Sequence, residues 1–215
     1  MNKPVCTAVV AAVVVGLAFG GGGGKPSVST FTDKRDGKVY RIAKVGGQTW
    51  MAENLNYAAK GSKCYNNNAD CCAEYGSLYD WNTAMNGASS SKLNPSGVKG
   101  ICPDGWHLPS NAEWRELADF DGSKTGTKLR SSTGWERCDC DEEVPAGTDD
   151  YGFSALPDPD SRGNRSGTWW SATENGAGYA RIWCITSSYE YMTQFRDVKS
   201  GLRTVRCVQD KEAQK

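Results

Sequence analysis

Aromatic side chains and cysteines are the residues of this 215-residue chain most suited to a specific chemistry: it has eight Trp, nine Tyr and nine Cys but one His. Flat rings stack on sugars or pack against protein partners, and cysteines form cross-links. Because neighbours in a strand face opposite sides, at least one of two adjacent tryptophans should be accessible. The predicted ligand-binding set lies in the last third of the chain: Trp169, Trp170, Tyr179, Arg181, Trp183, Tyr189 and Tyr191.

Catalytic signatures are missing from the sequence. Acyl transfer and hydrolysis usually need a base that titrates near neutral pH, and the only histidine is His107, between two apolar residues, where we expect a structural role. The chain has no G-x-S-x-G, P-loop, H-E-x-x-H or dinucleotide fingerprint. We therefore predict that the protein is not an enzyme. A hydrolase stays open as an alternative, with carboxylates drawn from Asp149, Asp150, Asp158, Asp160 and Glu174.

Metal binding has one candidate segment, residues 158–164 (DPDSRGN), which offers oxygen ligands and a glycine. It lacks the spacing and the terminal Glu of an EF-hand loop, and the cysteine spacings do not match zinc sites. We predict no resident cofactor and keep calcium as an alternative.

Charge and composition limit the choice of partner. Hydrophobic residues make up 38% of the chain and charged residues 23%, as in a globular domain, and 25 basic residues balance 25 acidic ones. A chain with no net charge is not steered toward a polyanion, so neither a nucleic acid nor an anionic membrane surface is the expected partner.

The first residues resemble an export signal. A lysine precedes an apolar run over residues 8–19 that ends in small residues, which predicts a signal peptide over 1–20 and no stable transmembrane span after processing. Position 21 is Gly rather than Cys, so a lipid anchor is not predicted. The expected location is the cell surface, the outer membrane, the periplasm or the extracellular space. We divide the rest into a Gly/Ser/Pro-rich linker (21–30), one domain (31–210) and a polar tail (211–215).

Hydrophobic patterning predicts an α+β domain of two short helices, an antiparallel sheet and long irregular loops. The helices are expected at 78–85 and at 110–120, the second opened by a capping box from Ser110 to Glu113. A first hairpin is expected over 38–45 and 48–52, and a short strand over 151–156. The closing antiparallel meander is expected over 168–172, 179–186, 191–198 and 204–208.

Removal of the signal peptide would take Cys6 away and leave eight cysteines, an even set that predicts disulfides in an exported chain. Spacing alone does not choose the pairs. The eight cysteines of the processed chain would be Cys64, Cys71, Cys72, Cys102, Cys138, Cys140, Cys184 and Cys207.

Several sequence blocks resemble the Fibrobacter succinogenes major paralogous domain family: WMAENLNY (50–57), GICPDGWHLPSNAEW (100–114), YGFSALP (151–157), WSAT (170–173) and VRCV (205–208). The resemblance implies a disulfide-stabilised, C-type-lectin-like fold of the formylglycine-generating-enzyme-like branch, with its termini close together. It also implies a bridge from Cys102 to Cys207 and a local one from Cys64 to Cys71 or Cys72. The resemblance leaves four cysteines without an assigned partner: Cys138, Cys140, Cys184 and whichever of Cys71 and Cys72 does not pair with Cys64.

The residues and the resemblance together predict an exported, non-catalytic recognition module of the surface or envelope that binds a polysaccharide or an envelope protein. Enzymes of the resembling branch use a C-terminal cysteine pair, for which only Cys184 and Cys207 are present in that region. An oxidoreductase of the formylglycine-generating type is therefore one alternative. A structural or variable surface protein is another.

Overall fold

The computed structural model describes residues 6, 29–136, 145–159 and 165–211, which form an α+β arrangement with two antiparallel sheets. The strands are β1 Ser29–Thr32, β2 Val39–Val45, β3 Gln48–Met51, β4 Trp106–His107, β5 Ser166–Glu174, β6 Tyr179–Thr186, β7 Thr193–Val198 and β8 Val208–Gln209. The α-helices are α1 Ala69–Tyr75, α2 Trp81–Met85, α3 Asn111–Asp119 and α4 Thr125–Leu129.

The first sheet has the strand order β1-β2-β3-β8-β4, which places the first and last described strands in one layer. The predicted hairpin of β2 and β3 is present, turning at Gly46, whose φ of 58° is the left-handed conformation that glycine adopts freely. β1 begins at Ser29, two residues before the expected start of the domain. β8 lies between β3 and β4, so the ends of the domain meet as the resemblance implied.

The second sheet is the antiparallel meander β5-β6-β7. Three of the four predicted segments form it, but the fourth, residues 204–208, does not. That segment crosses between the sheets: Thr204 O accepts a hydrogen bond from Trp170 N (3.1 Å), whereas Cys207 O accepts one from Met51 N (3.0 Å). It pairs with β5 only through the parallel bridge of Thr204 with Trp169, so it does not continue the antiparallel meander.

Helix α3 confirms its predicted capping box, in which Ser110 Oγ accepts from Glu113 N and Glu113 Oε2 accepts from Ser110 N. The helix predicted over 78–85 is shorter in the structure, where it is α2. Its N-cap is Asp80, whose side chain accepts a hydrogen bond from Thr83 N (2.7 Å). The expectation of only two helices is wrong, since α1 and α4 are also present. The predicted strand at 151–156 reduces to one parallel bridge between Ala155 and Arg130. No helix of the described ranges has the length and apolar content to cross a membrane.

Disulfides join distant parts of the fold. Cys102 bonds to Cys207 across a separation of 105 residues, and Cys64 bonds to Cys72, one of its two expected partners. Cys71 bonds to Cys6, which the sequence analysis assigned to the removed leader. Cleavage after residue 20 would therefore leave Cys71 without this partner. Among the described cysteines Cys184 is free and buried, whereas Cys138 and Cys140 lie outside the described residues.

The second sheet lies between two hydrophobic clusters. Trp170 and Ile182 belong to one cluster, and Trp169 and Trp183, their neighbours along the strands, belong to the other. Trp81 of α2 is 5% exposed and belongs to the first cluster, with Trp170. The part of the sheet that carries these tryptophans is covered on both faces, so their side chains are inaccessible.

Candidate functional site

The tryptophans of the predicted ligand-binding set are inaccessible. Trp169 and Trp170 are 0% exposed and Trp183 is 3% exposed. The expectation that one of the adjacent pair reaches solvent is wrong: they do face opposite sides, but a hydrophobic cluster covers each side. Two of the indole nitrogens donate hydrogen bonds to side chains of the protein: Trp169 Nε1 to Asn54 Oδ1 (2.8 Å) and Trp183 Nε1 to Asn111 Oδ1 (2.9 Å).

Four members of the predicted set do reach solvent, in two separate places. Tyr179 begins β6 and is 40% exposed, and half-buried Arg181 follows on the same face. Tyr189 and Tyr191 lie beyond the other end of β6, in the turn that leads to β7. Because β6 has eight residues, roughly 23 Å separates its ends. The exposed members of the predicted ligand-binding set therefore lie on two separate surfaces.

The turn between β6 and β7 presents a pair of stacked rings. Tyr189 is 49% exposed and Tyr191 is 45% exposed, and their ring centroids are 5.2 Å apart at an interplanar angle of 27°. We name this pair the tyrosine ridge. Large rings held parallel and partly in water offer the apolar faces and hydroxyl edges that stack on sugars.

Helix α4 and Arg130 hold the backbone under the tyrosine ridge. Arg130 Nη1 donates to the carbonyl oxygens of Thr186 and Tyr189, and Thr127 N donates to Glu190 O (3.0 Å). A side chain at Gly126 would come within 2.8 Å of Glu190 O, so glycine is what lets the helix approach this closely. The sequence analysis missed Arg130, because its partners lie 56 and 59 residues away and nothing in the adjacent sequence indicates them.

A second candidate lies beside His107, where a cavity of about 340 Å³ is lined by both polar and apolar residues, among them His107, Glu113 and Asp210. His107 Nε2 lies 2.6 Å from Glu113 Oε1, and His107 Nδ1 lies 2.6 Å from Asp210 Oδ1. Glu113 Oε2 accepts from the backbone nitrogens of Ser96 and Ser110. With a carboxylate at each ring nitrogen, the imidazole has no free nitrogen with which to take a proton from a substrate.

The two carboxylates also set the protonation of His107. Burial alone lowers the pKa of His107, but the hydrogen bonds and negative charges of Glu113 and Asp210 outweigh it and raise that pKa above 6.5. When it is protonated, the imidazole donates a hydrogen bond from each nitrogen to one carboxylate, which links β4, α3 and the residue that follows β8. This arrangement agrees with the predicted structural role of His107.

We expect the pH dependence of stability to report this link. A folded-state pKa above the unfolded value means that His107 stabilises the fold fully below pH 6.5 and loses this contribution as the pH rises through the folded-state pKa. Urea denaturation from pH 5 to pH 9, with His107→Gln beside the wild type, isolates the effect as the difference between the two curves. Parallel curves for the two proteins would contradict it.

The calcium and hydrolase alternatives both depended on acidic residues in loops. Asp158 accepts hydrogen bonds from Tyr65 Oη (2.8 Å) and Thr168 Oγ1 (2.6 Å), and burial raises its pKa to about 6. Asp149 accepts from Ser154 in its own turn, and Glu174 pairs with Lys199. Asp160 and the rest of the predicted calcium loop lie outside the described residues, and the described part contains no metal-binding cluster of His, Cys, Asp and Glu.

The two cysteines considered for an oxidoreductase of the formylglycine-generating type are in different states. Cys207 is bonded to Cys102, and burial raises the pKa of the Cys184 thiol to about 12. A thiol with so high a pKa is a poor nucleophile and a poor metal ligand at neutral pH. These two residues do not form a thiolate pair.

Comparison with known proteins identifies the domain. The sequence model described as the Fibrobacter succinogenes major domain matches residues 43–209, which include β3 to β8 and the last three residues of β2. No curated protein and no solved structure matches the chain. The matched part contains the Cys64–Cys72 and Cys102–Cys207 bridges, His107 with its partner Glu113, and the tyrosine ridge. The chain therefore belongs to the Fibrobacter succinogenes major domain family.

Proposed function

We propose that this protein is an exported, non-catalytic module of C-type-lectin-like fold that binds a polysaccharide at the cell surface or envelope through the tyrosine ridge. The observation that carries the proposal is two stacked, half-exposed rings on a backbone held by Arg130 and α4. Rings that are already ordered lose little conformational entropy on binding, so little of the stacking free energy is offset.

The two disulfides that join Cys64 to Cys72 and Cys102 to Cys207 support export, because such bridges persist in oxidising compartments. Cleavage after residue 20 would remove Cys6 but would retain the two bridges that lie within the family domain. Binding without catalysis is supported by His107, whose ring nitrogens both face carboxylates, and by the raised pKa of Cys184.

Removing both rings of the tyrosine ridge tests the proposal. We expect Tyr189→Ala/Tyr191→Ala to weaken binding to insoluble cellulose, or to the best neutral glycan on an array, by about tenfold, equivalent to about 1.4 kcal/mol of binding free energy. The matched control is Phe195→Ala, which removes a 54% exposed ring from β7. Equal retention of the double variant and the wild type would contradict the ridge as the contact surface, and so would an equal loss in Phe195→Ala.

A further inference from the structure

The outer surface near the start of β6 carries an excess of positive charge. In the pairing of β6 with β7, Arg181 lies opposite Arg196 and Tyr179 lies opposite Val198. The two pairs are on the same side of the sheet. The next pair on this side is Trp183 with Gln194. Helix α3 covers it, and Trp183 Nε1 donates a hydrogen bond to Asn111 Oδ1 of that helix. We name the uncovered part, made of Tyr179, Arg181, Arg196 and Val198, the arginine face.

Arginine from the neighbouring helix extends this charge. Arg115 on α3 is exposed and holds its guanidinium carbon 5.9 Å from the ring centroid of Trp183, on the same side of the sheet. The nearby acidic groups are engaged elsewhere or turned away: Asp197 lies on the opposite side of β7 and pairs with Arg203, and Glu174 pairs with Lys199. Within the described residues, no carboxylate oxygen lies within 4.0 Å of the guanidinium nitrogens of Arg115, Arg181 or Arg196.

Two like charges directly opposite each other in an antiparallel pair destabilise a sheet. Arg181 and Arg196 occupy such a position, and within the described residues neither forms an ion pair that would offset the repulsion. A bound anion would turn this repulsion into attraction, since each guanidinium can donate two parallel hydrogen bonds to one carboxylate.

Tyr179 adds an apolar surface to the charge. Its ring is 40% exposed, and the guanidinium carbon of Arg196 lies 4.9 Å from the ring centroid. This cation–π contact fixes the ring and the guanidinium relative to each other. A ring beside two arginines suits a ligand that has both an apolar sugar face and a carboxylate.

We propose that the arginine face binds the carboxylate groups of an acidic polysaccharide built of uronic acid units, with Arg181 and Arg196 as the main contacts. The inference rests on the proposed function only in treating the protein as a polysaccharide binder. It concerns a surface roughly 23 Å from the tyrosine ridge, estimated from the length of β6.

Affinity electrophoresis of the full chain in gels containing polygalacturonate tests the inference. We expect retardation of the wild type and an affinity about tenfold weaker for Arg181→Gln/Arg196→Gln, because charge-assisted hydrogen bonds are about twice as strong as neutral ones. The control Lys34→Gln/Lys60→Gln makes the same change in net charge at two exposed lysines and should keep the wild-type affinity. Thermal unfolding of both variants should match or exceed that of the wild type.

Three outcomes would overturn the inference: no retardation of the wild type, an equal loss in the lysine control, or equal retardation in gels containing single-stranded DNA. Each leaves the tyrosine ridge untouched, because cellulose is neutral and its binding is measured with different variants. Conversely, loss of cellulose binding in the tyrosine variant with polygalacturonate binding intact supports two independent surfaces.

Discussion

Replacing Cys102 and Cys207 together by alanine is expected to lower the free energy of unfolding by about 4 to 5 kcal/mol, because their bridge closes a separation of 105 residues. In the chain-entropy description, a cross-link restricts the unfolded chain more as the loop that it closes lengthens. Both cysteines are 0% exposed in the first hydrophobic cluster, so alanine also leaves a small packing defect. Urea denaturation without reductant measures the change.

The matched control is Cys64→Ala/Cys72→Ala, which removes a bridge with a separation of only 8 residues. For so short a loop the same description gives about 2 to 3 kcal/mol. Equal losses for the two double variants, or a larger loss for the short bridge, would show that chain entropy does not control the contribution of these cross-links.

Truncation of Trp169 or Trp170 to alanine should destabilise the fold by about 3 to 5 kcal/mol without reducing the ligand affinity of the folded protein. Both indoles are 0% exposed. The Trp169 ring packs 5.8 Å from that of Trp114, and Trp170 Nε1 donates to Tyr79 O (2.8 Å). Each truncation removes a buried ring and leaves a cavity on one side of the second sheet.

Tyr189→Ala is the control for the tryptophan variants, since an exposed ring should change the unfolding free energy by at most about 0.5 kcal/mol. Denaturation and cellulose binding are measured on the same preparations. A tryptophan variant that is as stable as the wild type but no longer binds would restore the tryptophans as ligand contacts and contradict their burial.

Local signals in the sequence were sufficient for the elements that local interactions build. The capping box from Ser110 to Glu113 predicts α3, and the β-rich segment over 179–186 coincides with β6. The helix α1 was missed because its seven residues include Cys71 and Cys72, whose disulfides to other segments help to hold it. A short helix of that kind depends on tertiary contacts that spacing does not reveal.

The candidate site was harder to predict, because periodicity shows which residues share a face but not what covers that face. The period of two correctly separates Trp169 from Trp170, yet only the tertiary structure shows a hydrophobic cluster on each side. Contacts across long separations were also out of reach, such as His107 with Asp210, 103 residues later. The resemblance to a family supplied the Cys102–Cys207 pair, which spacing alone could not choose.

The most direct test of the tyrosine ridge as the polysaccharide contact is a titration of the full-length, isotope-labelled protein with cellohexaose, followed by amide and aromatic NMR shifts. The account predicts that the largest shifts fall on Tyr189, Tyr191 and the turn that carries them, with smaller changes around Arg130. Shifts centred on the cavity beside His107, with the turn unchanged, would contradict it.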